Sequence, residues 1–253
     1  MGVVNVTPDS FSDGGSWFDP EAAVAHGLQL FDEGADIVDV GGESTRPGAV
    51  PVDEAEEIRR VVPVVEALAR RGRVSVDTMK VGVAEAAVAA GATLINDVSA
   101  ALWPVAAASG AGWIAMHMQG TPPTMQRAPH YDDVVSEVRD FLVERAEQGR
   151  TAGVAEVWID PGIGFGKTSD HNLALLRSLG VFVGSGFPVV VGSSRKGFLG
   201  PFSAGAPPVE RLEASLATAV WALAEGAAAV RVHDVAATVQ AVRIVSEPVV
   251  DES

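Results

Sequence analysis

Eight short apolar, β-branched runs recur along this chain, and segments rich in Ala, Leu, Glu and Arg separate them. The runs are GVVNV (2–6), DIVDV (36–40), RVSVD (73–77), TLIND (93–97), WIAMH (113–117), EVWID (156–160), PVVVG (188–192) and AVRVH (229–233). Helical patterns fill 19–34, 53–72, 80–91, about 132–150, 208–226 and 234–246, and one or two turns are expected around 103–109. Strand–helix alternation implies parallel strands joined by right-handed crossovers. Nearly continuous apolar strands imply burial on both faces. Eight such units in 253 residues predict a (β/α)8 TIM barrel. A doubly wound open sheet is the weaker alternative, because no GxGxxG follows the first strand. No low-complexity linker divides the chain, so one domain is expected over 1–247, with a short acidic tail at 248–253.

Charge narrows the ligand classes. The formal net charge is -15, which argues against nucleic acid or an anionic membrane, since both call for a basic surface. An anionic ligand would need a local basic pocket. There are no cysteines, so disulfides, thiolate catalysis and cysteine-ligated zinc are excluded. The opening MGVVNVTPD lacks the basic and apolar regions of a secretory leader, and no apolar run is long enough to span a bilayer. A soluble cytoplasmic protein is expected.

In such a barrel, chemistry sits at the C-terminal strand ends. Those ends carry Asn5, Asp39, Asp77, Asn96 with Asp97, Met116 with His117, Asp160, the run Ser193-Ser194-Arg195-Lys196, and Arg231 with His233. Asp77, Asn96 and Asp160 could each merely cap the next helix. That every one of the eight ends is polar favours a site instead. Arg195, Lys196, Arg231 and His233 form a basic cluster after strands seven and eight, where this fold usually binds phosphate. Asn5 neighbours that cluster once the barrel closes, and its amide oxygen suits Mg²⁺ held against phosphate. Asp77, Asn96 and Asp160 on the opposite arc suit a flat heterocycle with several N–H donors. The loops 7–15 and 41–48 are rich in Gly, Pro, Ser and charge, and are predicted to close over a substrate.

The stretch IDPGIGFGKT (159–168) invites a nucleotide-binding interpretation that fails on register. A P-loop needs a glycine four residues before Gly-Lys-Ser/Thr. That position is Pro161, and Asp160 puts negative charge where phosphate would arrive. VGSSRKG is not a nucleophile elbow and no HExxH is present. His26 and His130 are expected at the surface, His171 at a helix start, and Lys167 at the rim or in a structural role.

The motifs MGVVNVTPDSFSDGG (1–15), VDVGGESTRPGA (38–49), VSVDT (74–78), INDVS (95–99), MHMQGTPPTMQ (116–126), IDPGIGFGKT (159–168), GSSRKGFLG (192–200) and VRVHDV (230–235) resemble, in order, those of the dihydropteroate synthase family of folate biosynthesis. The resemblance implies a sulfonamide-target transferase. Such an enzyme joins 6-hydroxymethyl-7,8-dihydropterin pyrophosphate to 4-aminobenzoate, releasing pyrophosphate through a pterin methylene cation. It further implies Mg²⁺ as cofactor and a homodimer. By residue, it implies that Asp77, Asn96, Met116, Asp160 and Lys196 hold the pterin. Asn5, Arg231 and His233 would meet pyrophosphate, with Asn5 also meeting the metal. Pro8, Phe11, Thr45, Arg46, Phe165 and Ser194 would surround 4-aminobenzoate. Asp13, Arg46, Lys196, Arg231 and His233 would act in catalysis. Two departures stand out. The family's short hairpin before the first strand is missing, which predicts a more open barrel floor. The loop after strand four reads SAALWP with Trp103, which bears on pterin affinity. The rivals are a methyltetrahydrofolate-type methyltransferase and a catalytically silent pterin-binding paralogue. The first should lack the SRK and RVHDV segments, and the second should have lost some of the catalytic set.

Overall fold

A computed structural model of the chain describes residues 1–7, 19–45 and 49–246. Its strands are β1 (Gly2–Asn5), β2 (Ile37–Gly41), β3 (Arg73–Asp77), β4 (Leu94–Asp97), β5 (Gly112–Met116), β6 (Val157–Asp160), β7 (Val190–Val191) and β8 (Ala229–Val230). Between and after them lie α1 (Pro20–Asp32), α2 (Glu54–Leu68), α3 (Val81–Ala89), α4 (Trp103–Ser109), α5 (Val134–Thr151), α6 (Ser169–Arg177), α7 (Leu179–Val183), α8 (Leu212–Ala224) and α9 (Val235–Ser246). Strands β1 to β6 form one parallel sheet in sequence order, and β7 pairs with β8. Two parallel bridges, Ile159 with Val189 and Gly2 with Val232, join the pieces into a closed ring. The (β/α)8 barrel is therefore present, and each of the eight expected runs supplies one strand.

The helices start where local chemistry tells them to. Asp19 accepts from the Glu21 and Ala22 amides just ahead of Pro20, and Asp53 and Asp133 cap α2 and α5 in the same way. Thr168 and His171 form a reciprocal capping box that opens α6. Three details differ from the sequence expectation. Strands β7 and β8 are two residues each. Two short helices, α6 and α7, fill the gap before β7. A 3-10 turn at Gly197–Ser203 follows β7. Among the described residues, no helix is long and apolar enough to cross a membrane.

Side chains alternate along a strand, and that period of two builds the barrel's interior in layers. The lower inward layer is apolar: Ile37, Leu94, Ile114 and Val190 cluster with Met1, Trp158 and Ala229. Two residues further along each strand stand Asp39, Asn96, Met116, Asp160, Gly192 and Arg231. Four of these six upper positions, Asp39, Asn96, Asp160 and Arg231, are polar above an apolar layer. Polar contacts close around the apolar layer at the floor. Arg73 reaches to Glu156 at 2.5 Å, Trp158 Nε1 donates to the same carboxylate at 2.8 Å, and the Met1 ammonium donates to the Val230 carbonyl at 3.0 Å. These groups, with the apolar cluster, fill the N-terminal end. The acidic tail 248–253 lies outside the described residues.

Candidate functional site

Asp39 is the hub of the upper layer. Its Oδ2 accepts from Arg231 Nε at 2.6 Å and from Asn96 Nδ2 at 3.0 Å, while Arg231 Nη2 donates to Asp77 Oδ2 at 2.8 Å. Arg231 therefore leans from β8 over β1 to reach β2 and β3. The second carboxylate oxygens, Asp39 Oδ1 and Asp77 Oδ1, are buried with no hydrogen-bond partner, as is Ser75 Oγ. Buried acceptors are normally satisfied. Two buried carboxylate oxygens without a partner suit a ligand rich in N–H donors. Burial raises the Asp77 pKa to about 7, with Asp39 and Glu57 adding to the rise and Arg231 and Lys196 opposing it. Burial also opposes the charge of Arg231, but Asp39 and Asp77 outweigh it and hold the guanidinium above its ordinary value.

Asp160 stands across the pocket. Its Oδ1 accepts from the Gly162 amide at 2.7 Å, so the carboxylate turns its own loop back on itself. Burial raises its pKa, against the pull of Lys196 and that amide. Lys196 donates to the Ile163 carbonyl and sits 4.5 Å from the centroid of the Phe165 ring, a cation–π distance. Burial lowers its pKa to about 8, with Asp160 resisting. Lys167, expected at the rim or in a structural role, is buried and bonded to His117 and to loop carbonyls. The rim alternative falls, and so does any residual phosphate-loop interpretation, because the lysine points into the protein.

The basic cluster is smaller than the sequence suggested. Arg195 adopts φ +59° and turns its guanidinium onto Asp234, away from Lys196. Arg211 holds that turn by donating to the Arg195 and Lys196 carbonyls at 3.3 and 3.1 Å. Lys196, Arg231 and His233 remain at the pocket. Ser194 Oγ lies 3.2 Å from both the His233 amide and its Nδ1. Asn5 ends β1, next to β8 through the Gly2–Val232 bridge. Met116 is buried on β5, while Thr45 and Phe165 are half-buried. Pro8, Phe11, Asp13 and Arg46 lie outside the described residues.

The helix-cap alternative also resolves. The N-cap residues are Lys80 for α3 and Leu102 for α4, and neither helix has a side-chain cap from Asp77 or Asn96. Asp97 takes the structural task instead. It accepts from the Ser99, Ala101 and Leu102 amides, from Ser99 Oγ and from Trp113 Nε1. Two features escaped the sequence. Asp39 was noted as a strand end but given no role; its signal was a carboxylate inside an otherwise apolar buried strand. The second is a buried clasp behind Asp77. Thr78 Oγ1 and Lys80 Nζ donate to Glu57, and Lys80 also reaches Glu43 at 2.9 Å. Glu43 in turn accepts from the Val52 amide at 2.8 Å, which ties the two stems of the second loop together.

Known proteins share this arrangement. The family described as pterin binding enzyme matches residues 1–233. The dihydropteroate synthase of Mycobacterium leprae is 48% identical over 261 residues, covering 97% of this chain and 91% of that protein. The Escherichia coli K12 dihydropteroate synthase is likewise 48% identical, over 97% of this chain and 89% of its own length. Among solved structures, Xanthomonas albilineans dihydropteroate synthase with 4-aminobenzoic acid superposes with a TM-score of 0.90 at 49% identity, covering 96% of this chain and 90% of that one. The same organism's enzyme in complex with 7,8-dihydropteroate gives a TM-score of 0.86 at 47% identity, with the same coverage. With the barrel, the ordered strand-end motifs and these likenesses together, the chain belongs to the dihydropteroate synthase family of pterin-binding enzymes.

Proposed function

We infer that this chain is a transferase that condenses 6-hydroxymethyl-7,8-dihydropterin pyrophosphate with 4-aminobenzoate to give 7,8-dihydropteroate and pyrophosphate. One observation supports this reading above the others. Asp39 and Asp77 each keep one buried carboxylate oxygen without a partner, and Asp77 interacts with both Arg231 and Lys196. A donor-rich ring and a departing anion need those two chemistries side by side. In the proposed roles, Asp77, Asp160 and Asn96 take the pterin's ring N–H and amino groups. Lys196 donates to the ring, and Met116 packs against it. Arg231, His233 and Asn5 hold the pyrophosphate.

The C–O bond to pyrophosphate breaks first, and its electron pair leaves with the anion. The positive charge left on the methylene is shared with the pterin ring, and the fixed carboxylates offset it. The amine lone pair of 4-aminobenzoate then forms the C–N bond, and the ammonium proton is released. No protein nucleophile is required. Phe165, Ser194 and Thr45 are assigned to 4-aminobenzoate. Pro8, Phe11, Asp13 and Arg46 are assigned to a cover that keeps water from the cation. For Mg²⁺ the donor set fits a substrate-borne ion: one amide oxygen, from Asn5, beside a phosphate site. Mg²⁺ commonly keeps waters and takes one or two protein oxygens plus phosphates. When bound, the ion would neutralise charge on the leaving pyrophosphate. A homodimer is the proposed assembly. The half-exposed Trp221 on α8 and Val181 on the adjoining α7 offer apolar surface for it.

Pyrophosphate release from the two substrates with Mg²⁺, alongside mass detection of 7,8-dihydropteroate, tests the assignment. Pterin binding without either product would instead indicate the silent paralogue.

A further inference from the structure

Lys167 is 3% exposed, yet it bears an amine. Its Nζ lies 2.9 Å from His117 Nδ1, 3.0 Å from the Gly162 and Phe165 carbonyls, and 3.3 Å from the His117 carbonyl. Four acceptors converge on one nitrogen away from water. The backbone is bent to make this possible. Gly162 has φ +67°, and a Cβ there would lie 1.8 Å from the His117 carbonyl oxygen. The loop 160–167 is thus pressed against the end of β5 with nothing between them.

The two loop carbonyls that Lys167 binds bracket the residues that meet Lys196. Ile163 supplies the carbonyl that accepts from Lys196, Gly164 lies under its aliphatic stem, and Phe165 lies under its ammonium. Asp160 is tied to the same loop through the Gly162 amide. We propose that Lys167 is a positioning residue for the pterin site, acting as a built-in hydrogen-bond donor that sets the loop 160–165 so that Asp160, Lys196 and Phe165 meet the ligand at fixed separations. Burial together with Lys167 keeps His117 neutral, its pKa pushed down to about 3, which leaves Nδ1 able to accept. The proposal rests on the assignment of Asp160 and Lys196 to the pterin.

The test is binding of 6-hydroxymethyl-7,8-dihydropterin pyrophosphate, measured by calorimetry, with steady-state kinetics beside it. Asp160→Asn and Lys196→Met are measured first. Unchanged affinity in both removes the pterin assignment and the proposal with it. With that assignment standing, Lys167→Met should weaken pterin binding roughly tenfold or more, the loss expected when buried acceptors are left without their donor. It should raise the pterin KM more than it lowers kcat. The loss should shrink markedly in a Lys196→Met background, because both residues act through one loop. In Lys167→Ala, millimolar methylammonium should restore part of the affinity, and tetramethylammonium, which has no N–H, should not. Wild-type affinity in Lys167→Met, or a loss that is additive with Lys196→Met and indifferent to methylammonium, overturns the proposal. If Lys167→Met does not fold, Lys167→Gln is put through the same measurements, with the same outcomes deciding.

Discussion

Asp39, Asp77 and Asn96 stand on strands of four or five residues that are paired on both sides, whereas Lys196 and Arg231 follow strands of only two. Short polar side chains have little reach, so the backbone itself must place them. Long cationic side chains reach across the pocket, and their heads are placed by what they bind. Arg231 is held by Asp39 and Asp77, and Lys196 by the Ile163 carbonyl and the Phe165 ring. Thus the acidic arc is fixed by the sheet and the basic arc is fixed by the acidic arc and one loop. Removing a cation should then upset its carboxylates more than removing a carboxylate upsets the sheet.

Arg231→Met is the severest challenge to that contrast. It leaves Asp39 and Asp77 buried beside each other without their cation. Breaking a buried pair in this way typically costs about 3–5 kcal/mol, so a loss near 3 kcal/mol is expected in urea unfolding, along with loss of pyrophosphate affinity. A change below about 1 kcal/mol would mean the two carboxylates are not held by Arg231 at all. Asp160→Asn comes next. Losing an ionised acceptor should weaken pterin binding by about 1.5–3 kcal/mol. Stability should hold or rise, since a buried carboxylate is replaced by a neutral amide. Calorimetry and thermal melting read the two effects separately, and unchanged affinity would confine Asp160 to its turn.

The two arcs should also respond to pH in different windows. Asp77 is raised from 3.8 to about 7 in the fold, chiefly by burial. The stability tied to its protonated form is complete below 3.8 and is lost as pH rises to about 7, and Asp160 shifts in the same direction. Lys196 is lowered from 10.5 to about 8, again chiefly by burial. Its contribution is present above 10.5 and is lost as pH falls through 8. Each limb can slope by at most about 1.4 kcal/mol per pH unit for one proton. Asp77→Asn should reduce the slope of the lower limb alone, leaving the share of Asp160, and Lys196→Met should reduce that of the upper limb alone, leaving the share of Lys167, which burial lowers to about 7, in unfolding free energies measured across pH. If either variant reduced both slopes, the arcs would be one electrostatic unit. The mildest test is Ser194→Ala. It removes the hydroxyl that faces His233 and should cost about 1 kcal/mol in kcat/KM for 4-aminobenzoate, with pterin affinity kept. Equal loss for both substrates would move Ser194 into the pterin half.

The contrast also explains what could be seen in the sequence. The strand-placed groups were legible because an Asp or Asn that ends an apolar run is visible in the letters, and a period of two puts Asp77, Asn96 and Asp160 on one inward level. The contact-placed groups were not. Nothing in RVH says that Arg231 spans three strands, and nothing in SRK says that Arg195 turns to Asp234 while Lys196 turns to Ile163. A left-handed backbone at Arg195 decides that, and it depends on Arg211 sixteen residues on. The role of Asp39 is not visible in the letters because its task is to hold other site residues. The burial of Lys167 is not legible either, because a lysine is ordinarily at the surface and only the convergence of carbonyls in the fold accounts for it.

The bend at Gly162 has a consequence for how sequences like this one are recognised. A Cβ at Gly162 would strike the His117 carbonyl, and one at Gly166 would lie 2.3 Å from the Gln119 carbonyl. In a saturation library through 160–167, those two sites should therefore return glycine alone. Position 163 should return only apolar side chains, since Ile163 is fully enclosed. The resulting string, an aspartate followed by glycines at alternate positions and then lysine, differs in spacing from a nucleotide-binding loop because it solves a different problem. It brings backbone oxygens together around an internal amine, where the nucleotide loop points backbone nitrogens outward at phosphate. Spacing of glycines, more than their number, is what separates the two in a search.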